Sequence, residues 1–148
     1  MIKDKQFKYM TNGIIIINND ETIIVETHTG NLSFPKGGRE KSETEFDCAK
    51  RELQEETGIT LDKIDILDNV CITETSKKGN PSVKYWVATL KENVKINKFT
   101  FDEKELKSVK WYKINEALKL DNLRTKRKDI LLEAYNICNE NNETNENN

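Results

Sequence analysis

The sequence predicts a single α+β domain, because strand-like and helix-like segments both occur along it. The strand-like segments are β-branched or alternate between apolar and polar residues, and they cover residues 7–17, 22–26, 64–75, 82–90 and 108–112. Apolar residues at helical spacing occur between 42 and 58 and again over 121–138. With 148 residues, the chain is long enough for one domain with a hydrophobic core and too short for two ordinary ones.

The first two strands are expected to form a hairpin. The sequence Asn-Asn-Asp at 18–20 separates them, and such side chains favour a turn by hydrogen bonding to their own backbone. The next segment, 27–40, has no hydrophobic period and is predicted to be a loop, since it contains Gly30, Pro35, Gly37 and Gly38.

A helix is expected to follow this loop. Ser42 and Glu45 have the spacing of a capping box, in which the two residues satisfy each other's backbone N–H groups. Gly58 is placed to end the helix in a left-handed cap. The apolar stripe that would face the core consists of Phe46, Ala49 and Leu53.

The second half of the chain is expected to add a second hairpin and a final helix. A turn at 77–81 would join the third and fourth strand-like segments. The helix at 121–138 would then complete a domain spanning residues 1–138. Residues 139–148 are nearly all Asn and Glu, and a segment that has no apolar side chain to bury is predicted to be a disordered tail.

Composition and charge exclude several classes of protein. Lys and Arg total 24 against 26 Asp and Glu, and the resulting charge of −2 gives no bulk attraction to DNA or a membrane. The three cysteines lack C-x-x-C spacing, which argues against a disulfide framework and a zinc site. The longest aliphatic run, 14–17, is too short for a membrane span or a signal sequence. We therefore expect a cytoplasmic protein with no membrane or DNA partner.

Three carboxylates are crowded together near the end of the first predicted helix. Glu52, Glu55 and Glu56 stand at positions i, i+3 and i+4, which places them on one helix face. Like charges at this spacing repel one another and destabilise a helix. A face of this kind predicts a bound cation that offsets the repulsion.

These glutamates belong to a longer pattern, which reads G-x5-E-x7-R-E-L-Q-E-E-T-G-I from Gly37 onward. The pattern resembles the Nudix box of pyrophosphohydrolases, and every fixed position is filled, by Gly37, Glu43, Arg51, Glu52, Leu53, Glu55, Glu56, Gly58 and Ile59. The resemblance covers residues 7–138 and implies the Nudix fold, a mixed sheet between helices in an α/β/α sandwich. One departure is Ser42, where most boxes have glycine, and we expect this serine to improve the helix cap.

The resemblance also implies a metal cofactor and roles for individual residues. Hard cations bind oxygen ligands and substrate phosphates, so Mg2+ or Mn2+ would be held by Gly37, Glu52, Glu55 and Glu56. In the family pattern Arg51 pairs with Glu43 and orients Glu52. The general base would be Glu52 or Glu105, although the segment that contains Glu105 also has the composition of a solvated, charged loop.

The residues just before the box give the best indication of the substrate. Ser33-Phe34-Pro35-Lys36-Gly37 resembles the F-P-K-G segment of mRNA-decapping and dinucleoside-polyphosphate Nudix hydrolases. Lys36 would place a positive charge beside the metal site, which suits a long phosphate chain. Phe34 and Gly38 are further candidates for contact with the substrate.

A second indication is the basic run at 124–128, which begins the final helix. Arg124 and Lys126 could bind a polyphosphate or an RNA backbone, or the run could simply be a solvated helix face. Three aromatic residues could stack on a base but are more often core residues, namely Phe34, Tyr85 and Trp86. His28 is expected to be incidental, and Cys48 to be a small buried residue.

The sequence therefore predicts a metal-dependent pyrophosphohydrolase that acts on an mRNA 5' cap or a dinucleoside polyphosphate. A diphosphoinositol polyphosphate and a nucleoside triphosphate are the alternative substrates. A non-catalytic module that binds nucleotides or RNA is the alternative of a different class, but such modules usually lack box carboxylates, and none is missing here. A monomer is the expected oligomeric state.

Overall fold

The computed structural model describes residues 7–147, and only the backbone of residues 141–147. The strands are β1 Thr11–Asn18, β2 Glu21–Thr27, β3 Leu32–Ser33, β4 Lys36–Gly38, β5 Ile64–Thr75, β6 Pro81–Leu90 and β7 Leu106–Lys113. The helices are α1 Glu45–Thr57, α2 Ile114–Ala117 and α3 Thr125–Asn147, and a 3-10 helix, Leu61–Lys63, precedes β5. The predicted tail at 139–148 begins within α3. Its side chains from residue 141 onward lie outside the described part, so disorder there stays a prediction.

Strand β1 lies at the centre of a mixed seven-stranded sheet. It runs parallel to β6 and antiparallel to β2 and β4. Strand β5 extends this sheet beyond β6, and β2 pairs with both β3 and β7. The predicted first hairpin is present, and Asn19 takes the left-handed conformation, with a φ of 56°, in its turn.

Four consecutive isoleucines bury both faces of β1. Ile14 and Ile16 pack with Leu53 of α1 on one side of the sheet, whereas Ile15 and Ile17 pack with the core that includes α3 on the other. Successive side chains of a strand point to opposite faces, so a strand covered on both sides needs a continuous apolar run. The α+β sandwich predicted from the sequence is confirmed.

The segment 27–40 is more regular than the predicted loop, because β3 and β4 lie within it. Strand β4 pairs with the start of β1, where Lys36 lies opposite Gly13. A Cβ added at Gly13 would lie 2.3 Å from the Pro35 carbonyl oxygen, so only glycine allows this close approach. Strands of two and three residues are too short to produce a periodic pattern in the sequence.

The prediction that Ser42 caps the box helix is wrong. The cap is Thr44, whose hydroxyl accepts a hydrogen bond from the Asp47 N–H at 3.0 Å. Ser42 instead has a φ of 72°, a left-handed conformation that costs a non-glycine residue about 1 kcal/mol. The other end is as predicted, since Gly58 takes a φ of 84° and its N–H bonds to the Gln54 carbonyl.

Candidate functional site

Helix α1 carries the predicted carboxylates of Glu52, Glu55 and Glu56 on a face that adjoins its buried stripe, and we call this the acidic face. The side chain of Glu52 is 13% exposed and that of Glu55 is 53% exposed, so the acidic face runs from the protein interior to solvent. Glu56 is half-buried, and its carboxylate accepts a hydrogen bond from the Lys36 N–H of β4 at 3.0 Å. The three carboxylates therefore line the junction between α1 and β4.

The electrostatics of this acidic face favour protonation or a bound cation. Burial, together with the charges of Glu52 and Glu105, raises the pKa of Glu56 to about 7, although the hydrogen bond from the Lys36 N–H and the charge of Lys36 lower it. Burial also raises the pKa of Glu52, and Glu55 and Glu105 add to this, whereas hydrogen bonding to Arg51 lowers it. A cation bound here would stabilise the charged form of all these carboxylates.

Arg51 connects the acidic face to the loop that precedes α1. Its Nε and Nη2 donate to the two carboxylate oxygens of Glu43 at 2.6 and 3.0 Å. Its Nη1 donates to Glu52 at 2.9 Å and to Glu55 at 3.1 Å, and Nη2 also reaches the Gly38 carbonyl at 2.8 Å. These bonds fix the Glu52 carboxylate and lower the pKa of Glu43. The contact between Arg51 and Glu43 that the resemblance implies is present.

Gly37 makes room for the Glu52 carboxylate. A Cβ added at this position would lie 2.1 to 2.3 Å from the carboxyl atoms of Glu52, far inside van der Waals contact. The Gly37 carbonyl accepts a hydrogen bond from the Cys48 thiol at 3.2 Å, and this thiol is fully buried, as the sequence predicts. A carbonyl oxygen has a second lone pair, so this bond leaves one available to another partner.

Glu105, the predicted further ligand or base, lies close enough to the acidic face for its charge to raise the pKa of Glu52 and of Glu56. It ends a turn at 102–105, in which its N–H bonds to the Asp102 carbonyl at 3.0 Å. The Nε2 of His28 donates to the Glu103 carbonyl at 2.7 Å, which joins this turn to the segment after β2. His28 therefore has a structural contact that its isolated position in the sequence did not indicate.

The aromatic candidates are core residues. Phe34 and Tyr85 are fully buried, with their rings edge to face at a centroid distance of 5.4 Å. Trp86 is partly buried against Phe46, at 5.2 Å. The Phe34 ring is enclosed by the core, as expected for most such aromatic residues, and contact between Phe34 and a substrate stays a prediction.

The basic run at 124–128 does not form one continuous positive surface. Arg124 is exposed, but Arg127 is buried and bonded to Glu74 of β5. The Nζ of Lys126 donates to the carbonyl oxygens of residues 75 and 76, at 2.9 and 3.1 Å. Helical geometry turns neighbouring residues of the run in different directions, so a linear count of charges overstates the patch.

A cleft of about 640 Å3 lies between the β5–β6 turn and the start of α3. It is lined by Glu74, Thr75, Ser76, Lys77, Ser82 and residues 124–127. The charges of Glu74, Arg124 and Arg127 at the cleft and of Glu56 on the acidic face all shift the pKa of Lys36, so this lysine lies within electrostatic reach of both. Glu74 is not among the residues that the sequence predicted for this region. A carboxylate at an inward-facing position of an alternating strand could have identified it.

The described residues fit Mg2+ or Mn2+, although their side chains do not already form a metal-binding cluster. Within the part of the chain described, no three His, Cys, Asp or Glu side chains converge closely enough to form a metal site. Glu52 and Glu55 are bonded to Arg51 instead, and Glu56 to a backbone N–H. All the available donors are oxygens, which hard cations prefer, and such cations keep several waters, so few protein ligands are needed.

A comparison with known families decides the assignment. The sequence model of the NUDIX domain matches residues 9–134. The chain belongs to the NUDIX family. Every residue of the box is in place in this NUDIX domain.

Solved structures of other Nudix proteins share this fold. A crystal structure of a Caenorhabditis elegans (C. elegans) Ap4A hydrolase binary complex aligns with a TM-score of 0.73 and 21% identity, over 88% of this chain and 98% of that one. A NUDIX-family hydrolase from Clostridium perfringens aligns with a TM-score of 0.68 and 14% identity, over 88% and 97%. At these identities the likeness establishes the fold of this NUDIX protein and nothing finer.

A sequence relative comes from Acanthamoeba polyphaga mimivirus. It bears the name "Putative mRNA-decapping protein" and is 30% identical over 108 residues, which is 69% of this Nudix chain and 30% of the viral protein. The chain thus spans less than a third of that relative. Among the described residues, no helix of this NUDIX protein is both long and apolar enough to cross a membrane.

If this NUDIX protein is a hydrolase, we expect Gly37→Ala to lower its activity about a hundredfold, because the methyl group would displace Glu52 by an ångström or more. Gly38→Ala is the matched comparison, since no atom lies within 4 Å of the added Cβ. Isothermal titration with Mn2+ should find weaker binding for Gly37→Ala and wild-type binding for Gly38→Ala. Equal Mn2+ affinity in both variants would contradict the placement of Glu52 in the metal site.

Proposed function

We propose that this protein is a Mg2+- or Mn2+-dependent pyrophosphohydrolase that cleaves a dinucleoside polyphosphate. The position of Lys36 carries this proposal. Its backbone is bonded to Glu56, and its side chain lies in the field of Arg124 at the cleft. A phosphate chain extending from the acidic face to the cleft would pass Lys36, and the cleft could then hold the nucleoside beyond it. Named relatives that act on such a substrate, such as the C. elegans Ap4A hydrolase, support the proposal.

The residues of the acidic face have separate roles in this proposal. The metal would be held by Gly37, Glu52, Glu55 and Glu56, and when bound it neutralises diphosphate charge and lowers the pKa of the attacking water. Glu52 or Glu105 accepts a proton from this water as its oxygen attacks phosphorus. The anhydride P–O bond breaks, and the leaving phosphate departs as an oxyanion. Lys36 and Arg124 stabilise the remaining phosphate charge.

The mRNA 5' cap is the second candidate substrate. The mimivirus relative named for decapping favours it, and so does the exposed pair of cations at the rim of the cleft, Lys77 and Arg124. A cap also joins two nucleosides through a phosphate chain, so the same residues would bind it. We propose that the protein acts in the cytoplasm as a monomer.

A side-by-side assay tests these candidates with metal and without it. Diadenosine tetraphosphate is expected to be turned over fastest, capped RNA more slowly, and both reactions should stop when EDTA removes the metal. The panel also includes a diphosphoinositol pentakisphosphate and the nucleoside triphosphates, each with Mg2+ and with Mn2+. Turnover confined to those two classes would contradict the proposal. Binding without turnover of any compound would identify a non-catalytic module.

Replacing Lys36 tests how the phosphate chain is bound. Lys36→Met is expected to raise the KM for diadenosine tetraphosphate about tenfold, the usual effect of losing one charged hydrogen bond. Lys110→Met is the control, since this exposed lysine lies on β7 and outside the site. An unchanged KM in Lys36→Met would remove Lys36 from the binding site.

A further inference from the structure

The loop that joins β4 to α1, residues 39–43, has a strained backbone, and we call it the box loop. Ser42 takes a left-handed conformation within it, with a φ of 72°. The loop closes as a turn, in which the Glu43 N–H donates to the Glu40 carbonyl at 3.2 Å and the Glu40 N–H donates to the Glu43 carboxylate at 2.8 Å. A strained residue keeps its conformation only where the contacts around it hold it. The contacts that hold the box loop therefore determine where Glu43 lies.

Arg39 supplies contacts that span this turn. Its Nη1 donates to the Glu40 carbonyl at 3.1 Å and to the Glu43 carbonyl at 2.8 Å, on the two sides of the strained residue. Its backbone N–H donates to the Met10 carbonyl at 2.7 Å, which joins the box loop to the segment before β1. The guanidinium carbon lies 4.4 Å from the centre of the Phe7 ring, so the ring packs against the cation. The half-buried Arg39 side chain is thus held in place while it bonds both ends of the turn.

Glu43 connects the box loop to the acidic face. Its carboxylate accepts hydrogen bonds from the Nε and Nη2 of Arg51, at 2.6 and 3.0 Å. The Nη1 of Arg51 donates in turn to Glu52 at 2.9 Å and to Glu55 at 3.1 Å. A continuous series of hydrogen bonds therefore runs from Arg39 through Glu43 and Arg51 to two carboxylates of the acidic face.

We propose that Arg39 is a positioning residue, which holds the box loop and thereby fixes the carboxylate of Glu52. It acts through Glu43 and Arg51, and it contacts no metal ligand itself. This inference rests on the proposed function, in which Glu52 binds the metal. Arg39 is one of the five residues that the box pattern leaves variable after Gly37, so the arginine is a feature of this chain that the pattern does not require.

The test measures the Arg51 side chain and Mn2+ binding separately. In NMR of the metal-free protein, Arg39→Met is expected to speed hydrogen exchange at the Arg51 Nε–H about tenfold, because the Glu43 carboxylate that accepts this hydrogen is no longer fixed. In isothermal titration, the same variant should raise the Kd for Mn2+ about tenfold, the lower end of the range for residues that orient metal ligands.

Two further variants serve as controls for Arg39→Met. Arg39→Lys keeps the charge but lacks the planar fork of donors, so it should recover part of the exchange protection and part of the Mn2+ affinity. Lys41→Met is the matched control, because this exposed lysine lies in the same loop, and it should equal the wild type in both measurements. If Arg39→Met does not fold, Arg39→Lys carries both measurements.

An exchange rate or a Kd within about twofold of the wild-type value in Arg39→Met would overturn the proposal. In an Arg51→Met background, Arg39→Met should raise the Kd no further, because the residue through which it acts is gone. Independent, multiplied increases in Kd would mean that Arg39 acts by another route, which also overturns it. If the wild type does not bind Mn2+, the metal site of the proposed function is refuted, whereas exchange at Arg51 still decides whether Arg39 holds that side chain.

Discussion

The double variant Glu55→Gln/Glu56→Gln is expected to have a kcat/KM about a thousandfold lower than that of the wild type, equivalent to about 4 kcal/mol of lost transition-state stabilisation. The amide oxygens keep the size of the carboxylates but lack the charge that holds a hard cation. Glutamine can still accept the hydrogen bond that the Lys36 N–H donates to Glu56. Steady-state kinetics at saturating Mn2+ measures the loss.

The same double variant is expected to be more stable than the wild type in metal-free buffer. Burial raises the pKa of Glu56 from an ordinary 4.5 to about 7, so the folded protein binds this proton more tightly than the unfolded chain. The wild type therefore loses stability as the pH rises from about 4.5 through 7, whereas glutamine does not titrate. The advantage in Tm should be larger at about pH 8 than at about pH 5.

Glu133→Gln provides the control for this pair, because Glu133 lies on the exposed face of α3, away from the site. It should keep wild-type activity and show no such pH-dependent gain in Tm. Full activity of the double variant would show that Glu55 and Glu56 are not the metal ligands. If the double variant has a lower Tm than the wild type at about pH 8, its loss of activity results from damaged folding instead.

Arg51→Met is expected to reduce the free energy of unfolding by about 2 to 4 kcal/mol, because it leaves partly buried carboxylates without their cation. The side chains of Glu43 and Glu52, which lose that partner, are only 16% and 13% exposed. Activity should fall about a hundredfold, because Glu52 is no longer held in place. Arg51→Lys should recover little of either property, since a single ammonium cannot reproduce the paired bonds to Glu43.

Lys50→Met is the matched control for Arg51, one residue earlier on the same helix. Lys50 forms an exposed ion pair with Asp47 at 3.7 Å, and their side chains are 44% and 48% exposed. Its removal should change the free energy of unfolding by less than about 0.5 kcal/mol in urea denaturation. If Arg51→Met were no more destabilising than Lys50→Met, the hydrogen bonds of Arg51 would not be holding the site together.

The sequence predicted the elements whose patterns are long and regular. The isoleucine run of β1, the Asn-Asn-Asp turn after it and the helix that ends at Gly58 are all present as expected. The box glutamates share one face because a helix fixes their spacing. Local rules were sufficient for these features.

Features that depend on distant parts of the chain were missed. Ser42 has the composition of a cap, but the path of the loop gives it a left-handed backbone and leaves the cap to Thr44. Phe34 stands beside Lys36 in the sequence, yet only the position of Tyr85 decides that its ring is buried. The partner of Arg127 is Glu74, on a strand far from it in the sequence, and no periodicity predicts that pairing.

The parallel pairing of β1 with β6 has a consequence for how the protein folds. Thr11 lies opposite Val83, and α1 with all its glutamates belongs to the long crossover between them. Such non-local pairing forms late and slowly, because loop-closure entropy must be overcome first. The acidic face forms when α1 packs on β1 and β4, so a metal ion or nucleotide that binds it would bind the folded chain and not the unfolded one. Ligand concentration should therefore slow global unfolding, and cofactor supply would affect the lifetime of the protein as well as its turnover.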